Sequence, residues 1–375
     1  MLGKKEAPKI IWLSICSFLL ICLAWTPALS GAATKNQSIN KTSEYEIWQT
    51  LGRAAGEKAL SMLESESDSQ LIVLTSAGSS IISGFDTLGC LDGLSKSTGS
   101  TMGRATLLPV TTRFDAPLWF AFFHRSTGQT AYFELNPKQL FMDETGQFMK
   151  PEKSLFTNDQ LVGLMAEELF EKARQGELPD MQAMSGNLFR ITTLANALHK
   201  GLPGRMAKAL SLHDHYCPGL TSGVLFAEYM RLHHHLDPSQ EIFVLTTQPW
   251  CKEDALINLL AATPGKKAYA TIYPDRQDEE QMSETEKRIS TIVFTTNPHG
   301  LWRGAALEFL WGHNQAVESF DSPLLDRLAA VLWYLDHLDE PERFVNLVQW
   351  IELPQGSHPR DWMRPGKNPL QLIQQ

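Results

Sequence analysis

The sequence predicts an α+β protein in which one helix-and-strand unit is built twice. Three observations predict it. An amphipathic helix followed by a strand occurs at both "EYEIWQTLGRAAGEKALSML…QLIVLTSAG" and "SGVLFAEYMRLHHHL…EIFVLTTQPW". "DGLSKSTGSTMGR" then lies over "DALINLLAATPGK" without a gap, Arg104 facing Lys266. After each come two apolar runs joined by a glycine-containing turn, "PLWFAFFHRSTGQTAYFEL" and "STIVFTTNPHGLWRGAALEFL". Matching order over four elements marks an internal repeat.

Lys4 and Lys5 precede an apolar run from Ile10 to Trp25, then Pro27 and small residues. That is the layout of a secretory signal over residues 1–32, cleaved after Ser30 or Ala32, with an uncleaved anchor as the alternative. The run is shorter than the roughly 20 residues of a spanning helix. Cys22 lacks the small preceding residue of a lipid-attachment site. The mature chain is therefore expected to be exported and soluble, in the periplasm if the cell has one. Its length suggests about two domains. A net charge of −9 and the absence of a basic stripe exclude a nucleic-acid partner.

The first unit spans 44–137, the helix from Glu44 to Leu63 leading into its strand. Residues 138–205 read as a helical connector. Thr157 caps a helix over "NDQLVGLMAEELFEKARQG" that ends at Gly176, and "LFRITTLANALHKGLPG" forms another. The second unit spans 206–321 and contains an acidic insertion, "DRQDEEQMSETE", read as a solvated loop. Residues 322–375 offer a Ser-Pro helix start, apolar residues at helical spacing, and a proline-rich tail from Leu353 expected to lie on the surface.

The chemistry concentrates in "LHDHYCPGLTSG", residues 212–223. Along a strand, His213 and Cys217 would stand about 13 Å apart. On a helix, His215 would point away from both. A shared site therefore demands a bend, which Pro218-Gly219 supplies, with Thr221 or Ser222 capping a helix from Gly223. A thiol beside that helix start has a lowered pKa. Two imidazoles and a thiolate suit zinc or another borderline metal, and Cys251 fills a fourth place from the end of the "EIFVLTT" strand. The plainer alternative is a buried cysteine beside two surface histidines. Three consecutive histidines, His233 to His235, cannot converge on one ion from a helix. Removal of the signal leaves Cys90, Cys217 and Cys251; Cys90, without histidine partners, reads as the buried remnant of a lost site.

The stretch resembles the signature of the FmdE family of formylmethanofuran dehydrogenase proteins, roughly His-Gly-His-x-Cys-Pro-Gly. "QPWCKEDALINLLAATPGK" is similar to that family's second signature, Asp-Ala-Cys-x-x-Asp-Ala-Ile followed by Thr-Gly-Cys-Thr-x-Gly-Lys. The resemblance covers residues 206–310 closely and the first unit as a degenerate copy. It implies mixed sheets, a homodimer or an intrachain pseudo-dimer, and a metal, usually zinc, at His213, His215, Cys217 and Cys251. Asp214 replaces the usual glycine and Ala262 the usual cysteine. Asp214 and Asp254 are the candidate proton carriers. Thr263 and Lys266 are candidate anchors for a carboxylate or phosphate, with Thr101 and Arg104 as their counterparts. Two readings follow: metal-dependent chemistry on a small substrate, or non-catalytic capture and delivery of a metal, metallophore or small acid. An exported chain would not join a cytoplasmic multisubunit enzyme, so the family name does not supply the reaction.

Overall fold

"LIVLT", buried at every position, forms the second strand of a five-stranded sheet, and its surroundings recur later in the chain. The computed structural model describes residues 41–65, 70–140, 154–234 and 236–373. The predicted signal, residues 1–32, lies outside them, as does His235.

Helix α1 (Lys41–Met62) leads into β1 (Leu71–Thr75). A small ribbon, β2 (Ile81–Ile82) with β3 (Phe85–Asp86), precedes α2 (Cys90–Thr98). Strands β4 (Leu107–Pro109), β5 (Trp119–His124), β6 (Gln129–Leu135) and β7 (Phe156–Gly163) complete the first sheet, in the order β4-β1-β5-β6-β7. Helices α3 (Ala166–Arg174), α4 (Leu188–Lys200), α5 (Ala207–His213) and α6 (Pro218–His233) follow. The second sheet then forms from β8 (Ile242–Thr246), β9 (Tyr269–Thr271), β10 (Thr291–Thr296), β11 (Trp302–Phe309) and β12 (Val345–Glu352). Between these strands lie α7 (Lys252–Leu259), α8 (Arg276–Gln281), α9 (Glu284–Arg288) and α10 (Pro323–Leu335).

The protein is thus mixed helix and sheet, with two separate mixed sheets as predicted. They share strand order, direction and register. Val73 pairs in parallel with Leu107 and antiparallel with Phe122, which pairs in turn with Ala131. Val244 pairs in parallel with Tyr269 and antiparallel with Val293, which pairs with Ala305. The same face carries a helix pair in both cases, α1 with α2 and α6 with α7. Glycine lets each pair approach closely. A Cβ on Gly52 would sit 2.2 Å from the Cys90 carbonyl oxygen, and one on Gly223 would sit 2.4 Å from that of Lys252.

The inner faces of both sheets close on one apolar core with α4, α6 and α10 between them. Helices α1 and α2 cover the outer face of the first sheet. The outer face of the second is covered by the chain end, where Leu353, Leu370, Leu372 and Ile373 are buried. The proline-rich tail is therefore partly a core element, because among the described residues no outer helix pair hides Phe243, Leu245 and Phe294.

Two further expectations are corrected. The segment from Asn158 is not helical: it continues β7, hydrogen-bonded to the open side of β6, and the helix begins only at Ala166. The apolar spacing there joined two elements, Leu161 and Val162 in the strand with Leu164 and Leu169 beyond it. The acidic insertion is exposed but ordered as α8 and α9, each closed by a capping box from Asp275 and Ser283.

Candidate metal centre

Helix α5 ends at His213, and Asp214 turns the chain with φ 66° and ψ −10°. Asparagine and aspartate tolerate this left-handed region better than most residues, and glycine tolerates it best. By Cys217 the backbone is extended (φ −145°, ψ 162°), and Pro218 opens α6 with its φ already suited to a helix. The bend therefore lies at Asp214 to Cys217, upstream of the Pro218-Gly219 position expected from sequence. The cap differs as well: the Cys217 sulfur accepts the Leu220 N–H at 3.4 Å, while Thr221 and Ser222 lie inside the helix.

Cys251 arrives from the loop after β8 and stands at the N-cap position of α7. One donor atom each from His213, His215, Cys217 and Cys251 lies within 4.8 Å of all the others. The four residues singled out by spacing are thus brought together in a cluster that could hold a metal ion. The Cys217 sulfur is 3.7 Å from His213 Nε2, and the two imidazole centroids are 4.3 Å apart.

Both carboxylates read as proton carriers face the far side of a histidine. Asp254 Oδ2 lies 2.7 Å from His213 Nδ1, and Asp214 Oδ1 lies 2.7 Å from His215 Nδ1. A carboxylate on Nδ1 fixes the tautomer and leaves Nε2 free as a ligand. Asp214 Oδ2 also accepts from Arg190 Nη2 at 2.7 Å.

The electrostatics follow from this packing. Burial lowers the pKa of His213, but Asp254 and Cys251 outweigh it and raise the group to about 9. His215 is raised against the same burial by Asp214 and Cys251. The hydrogen bond from Cys217, helped by both imidazoles, holds Cys251 strongly down as the thiolate. Cys217 is pushed up, first by its bond to Cys251 and then by burial. The lowered pKa expected at the helix start therefore belongs to Cys251. Lys252, fully buried behind the site, is drawn down to about 8 by desolvation; its Nζ stands 3.7 Å from the Trp250 ring centroid.

Other candidates stand apart. The Thr263 hydroxyl accepts the Lys266 N–H at 3.2 Å, and the Lys266 ammonium turns back onto the Ala261 carbonyl at 3.0 Å. Thr101 and Arg104 repeat the same capped turn. His233 pairs with Glu342 and His234 packs on Trp350. Cys90 begins α2 and is fully buried, its thiol pushed up by desolvation. Sequence reasoning missed Arg190, which lies in the connector and has no local motif to mark it.

Residues 212–298 match the family model FmdE, described as "Molybdenum formylmethanofuran dehydrogenase operon". This part of the chain is an FmdE-like domain, and all four clustered donors fall within it. No curated protein matches the chain.

Proposed function

We propose that this is an exported metal-binding protein whose FmdE-like domain holds a zinc-like ion through His213, His215, Cys217 and Cys251. The observation that carries the reading is the convergence of four soft donors whose imidazoles are already oriented by carboxylates. Their spacing supports it. Metal–sulfur and metal–nitrogen bonds of about 2.3 and 2.05 Å at a tetrahedral angle separate the two ligand atoms by about 3.6 Å. Cys217 and His213 stand 3.7 Å apart. The basic start and apolar run of residues 1–32 support export.

A bound ion supplies Lewis acidity only where a coordination position stays open, and four protein donors are the shell of structural or storage sites. We therefore favour capture and holding of the metal over chemistry on a small substrate. The catalytic reading keeps one supporting observation: the Asp254 side chain is 38% exposed and could exchange protons with solvent.

Metal analysis of the purified chain tests the proposal. One equivalent of zinc or a similar ion is expected, with loss in Cys217→Ala and in Cys251→Ala. A metal-free wild type, or full retention in either variant, contradicts it. Amino-terminal sequencing of the secreted product is expected to begin after Ser30 or Ala32.

A further inference from the structure

Alternate residues of a strand share a face, so Tyr132 and Glu134 on β6 both point into the core between the sheets. Tyr132 is fully buried; Glu134 and Asn187 are 8% and 7% exposed. The Tyr132 hydroxyl donates to Glu134 Oε1 at 2.7 Å and accepts from Asn187 Nδ2 at 3.0 Å. Asn158 Nδ2 donates to the other Glu134 oxygen at 2.9 Å. On α4, Arg190 Nη1 donates to Asn187 Oδ1, and Nη2 donates to Asp214 Oδ2 at 2.7 Å. Asp214 in turn holds His215 Nδ1 at 2.7 Å. An unbroken polar path leads from the first sheet to an imidazole of the second unit's site.

Docking of α4 does not require these groups. Leu188, Ile191, Leu194 and Ala195 already bury that helix in the core. A buried carboxylate with its hydrogen-bond chain is often replaceable by apolar residues without loss of stability. The chain does supply direction. Arg190 is gripped at both ends of its planar fork, which fixes where Nη2 points. Asp214 opens the four-residue joint between α5 and α6, where a side chain held only by its neighbour His215 would turn with it.

We propose that the first unit, which contributes none of the four clustered donors, holds the second unit's metal centre in register. Tyr132 and Glu134 fix Asn187 and Arg190; these fix Asp214, and Asp214 fixes the ring of His215. All are positioning residues that need not touch the ion. The inference rests on the metal reading above.

The test uses the full chain with Co²⁺ as the probe. It follows affinity, the visible absorption of the thiolate-bound ion, and the side-chain ¹⁵N signals of His215. Arg190→Met is expected to weaken Co²⁺ binding at least tenfold, the lower end for outer ligand partners, and to shift the spectrum. Arg190→Lys is expected to recover part of the loss. Tyr132→Phe should move affinity and the His215 signals in the same direction. Phe120→Leu, in the outer core of the first unit, should lower the melting temperature and leave all three readouts unchanged. Wild-type affinity, spectrum and His215 signals in a folded Tyr132→Phe variant would overturn the inference while leaving the metal reading intact. Should that variant not fold, Glu134→Gln replaces it with the same two outcomes. Absence of Co²⁺ binding by the wild type would instead overturn the metal reading, and this inference with it.

Discussion

Nδ1 of His213 and Oδ2 of Asp254 stand 2.7 Å apart, tying the end of α5 to the first turn of α7 across 41 residues of chain. The contact explains why an aspartate three residues after Cys251 belongs to the site without being a donor. Asp254→Ala is expected to lower zinc affinity by about 10–100-fold, measured by competition with a chelating dye. Unchanged affinity would show that the ring of His213 needs no such hold.

Asp214 combines a backbone role with a side-chain role, and two substitutions separate them. Asp214→Gly suits φ 66° but loses Arg190 and His215 as partners. Asp214→Ala loses the same partners and adds about 1 kcal/mol of left-handed strain. Both variants should bind metal more weakly, and only the alanine variant should show the additional loss of stability in denaturant titration. Equal stabilities would rule out the strain.

Metal binding should strengthen with pH. In the metal-free protein His213 titrates near 9 instead of 6.5, so the fold favours its protonated form. That contribution to stability is complete below pH 6.5 and is lost as pH rises through about 9. A metal must displace this proton and that of Cys217, whose thiol is pushed up, so affinity should climb throughout the same window; His215 acts in the same direction. Co²⁺ isotherms between pH 6 and 9.5 check this, and a flat profile would contradict it.

Gly52→Ala and Gly223→Ala create equivalent backbone clashes, 2.2 and 2.4 Å from a carbonyl oxygen in the facing helix. Each should cost about 1–3 kcal/mol as an overpacked contact. Only Gly223→Ala should also weaken metal binding, because the helix it displaces begins beside Cys251. Equal metal affinity in both variants would show that Cys251 tolerates movement of α7.

The legible parts of the sequence are those with a local signal. β1 and β8 are short apolar runs buried on both faces, and the β5–β6 and β10–β11 pairs carry their turns between them. The donors are legible because only a bend lets His213, His215 and Cys217 meet. Strands β7 and β12 are not, since edge strands have one open side and bury few of their residues. The position of the bend is hidden because Pro218 reads equally as a break or as a first helical residue, and the left-handed turn falls to an aspartate. Arg190 reaches the site only through tertiary packing, 24 residues before its partner Asp214.

In the first unit, with Gly52 set over Gly223, α1 runs without interruption through the positions where the second unit has the turn at Asp214 and then α6. Histidines and cysteines grafted there would be fanned around a continuous rod and could not enclose an ion. Restoring a centre in that half is a matter of rerouting the main chain, so no small set of point changes should convert it into a second site.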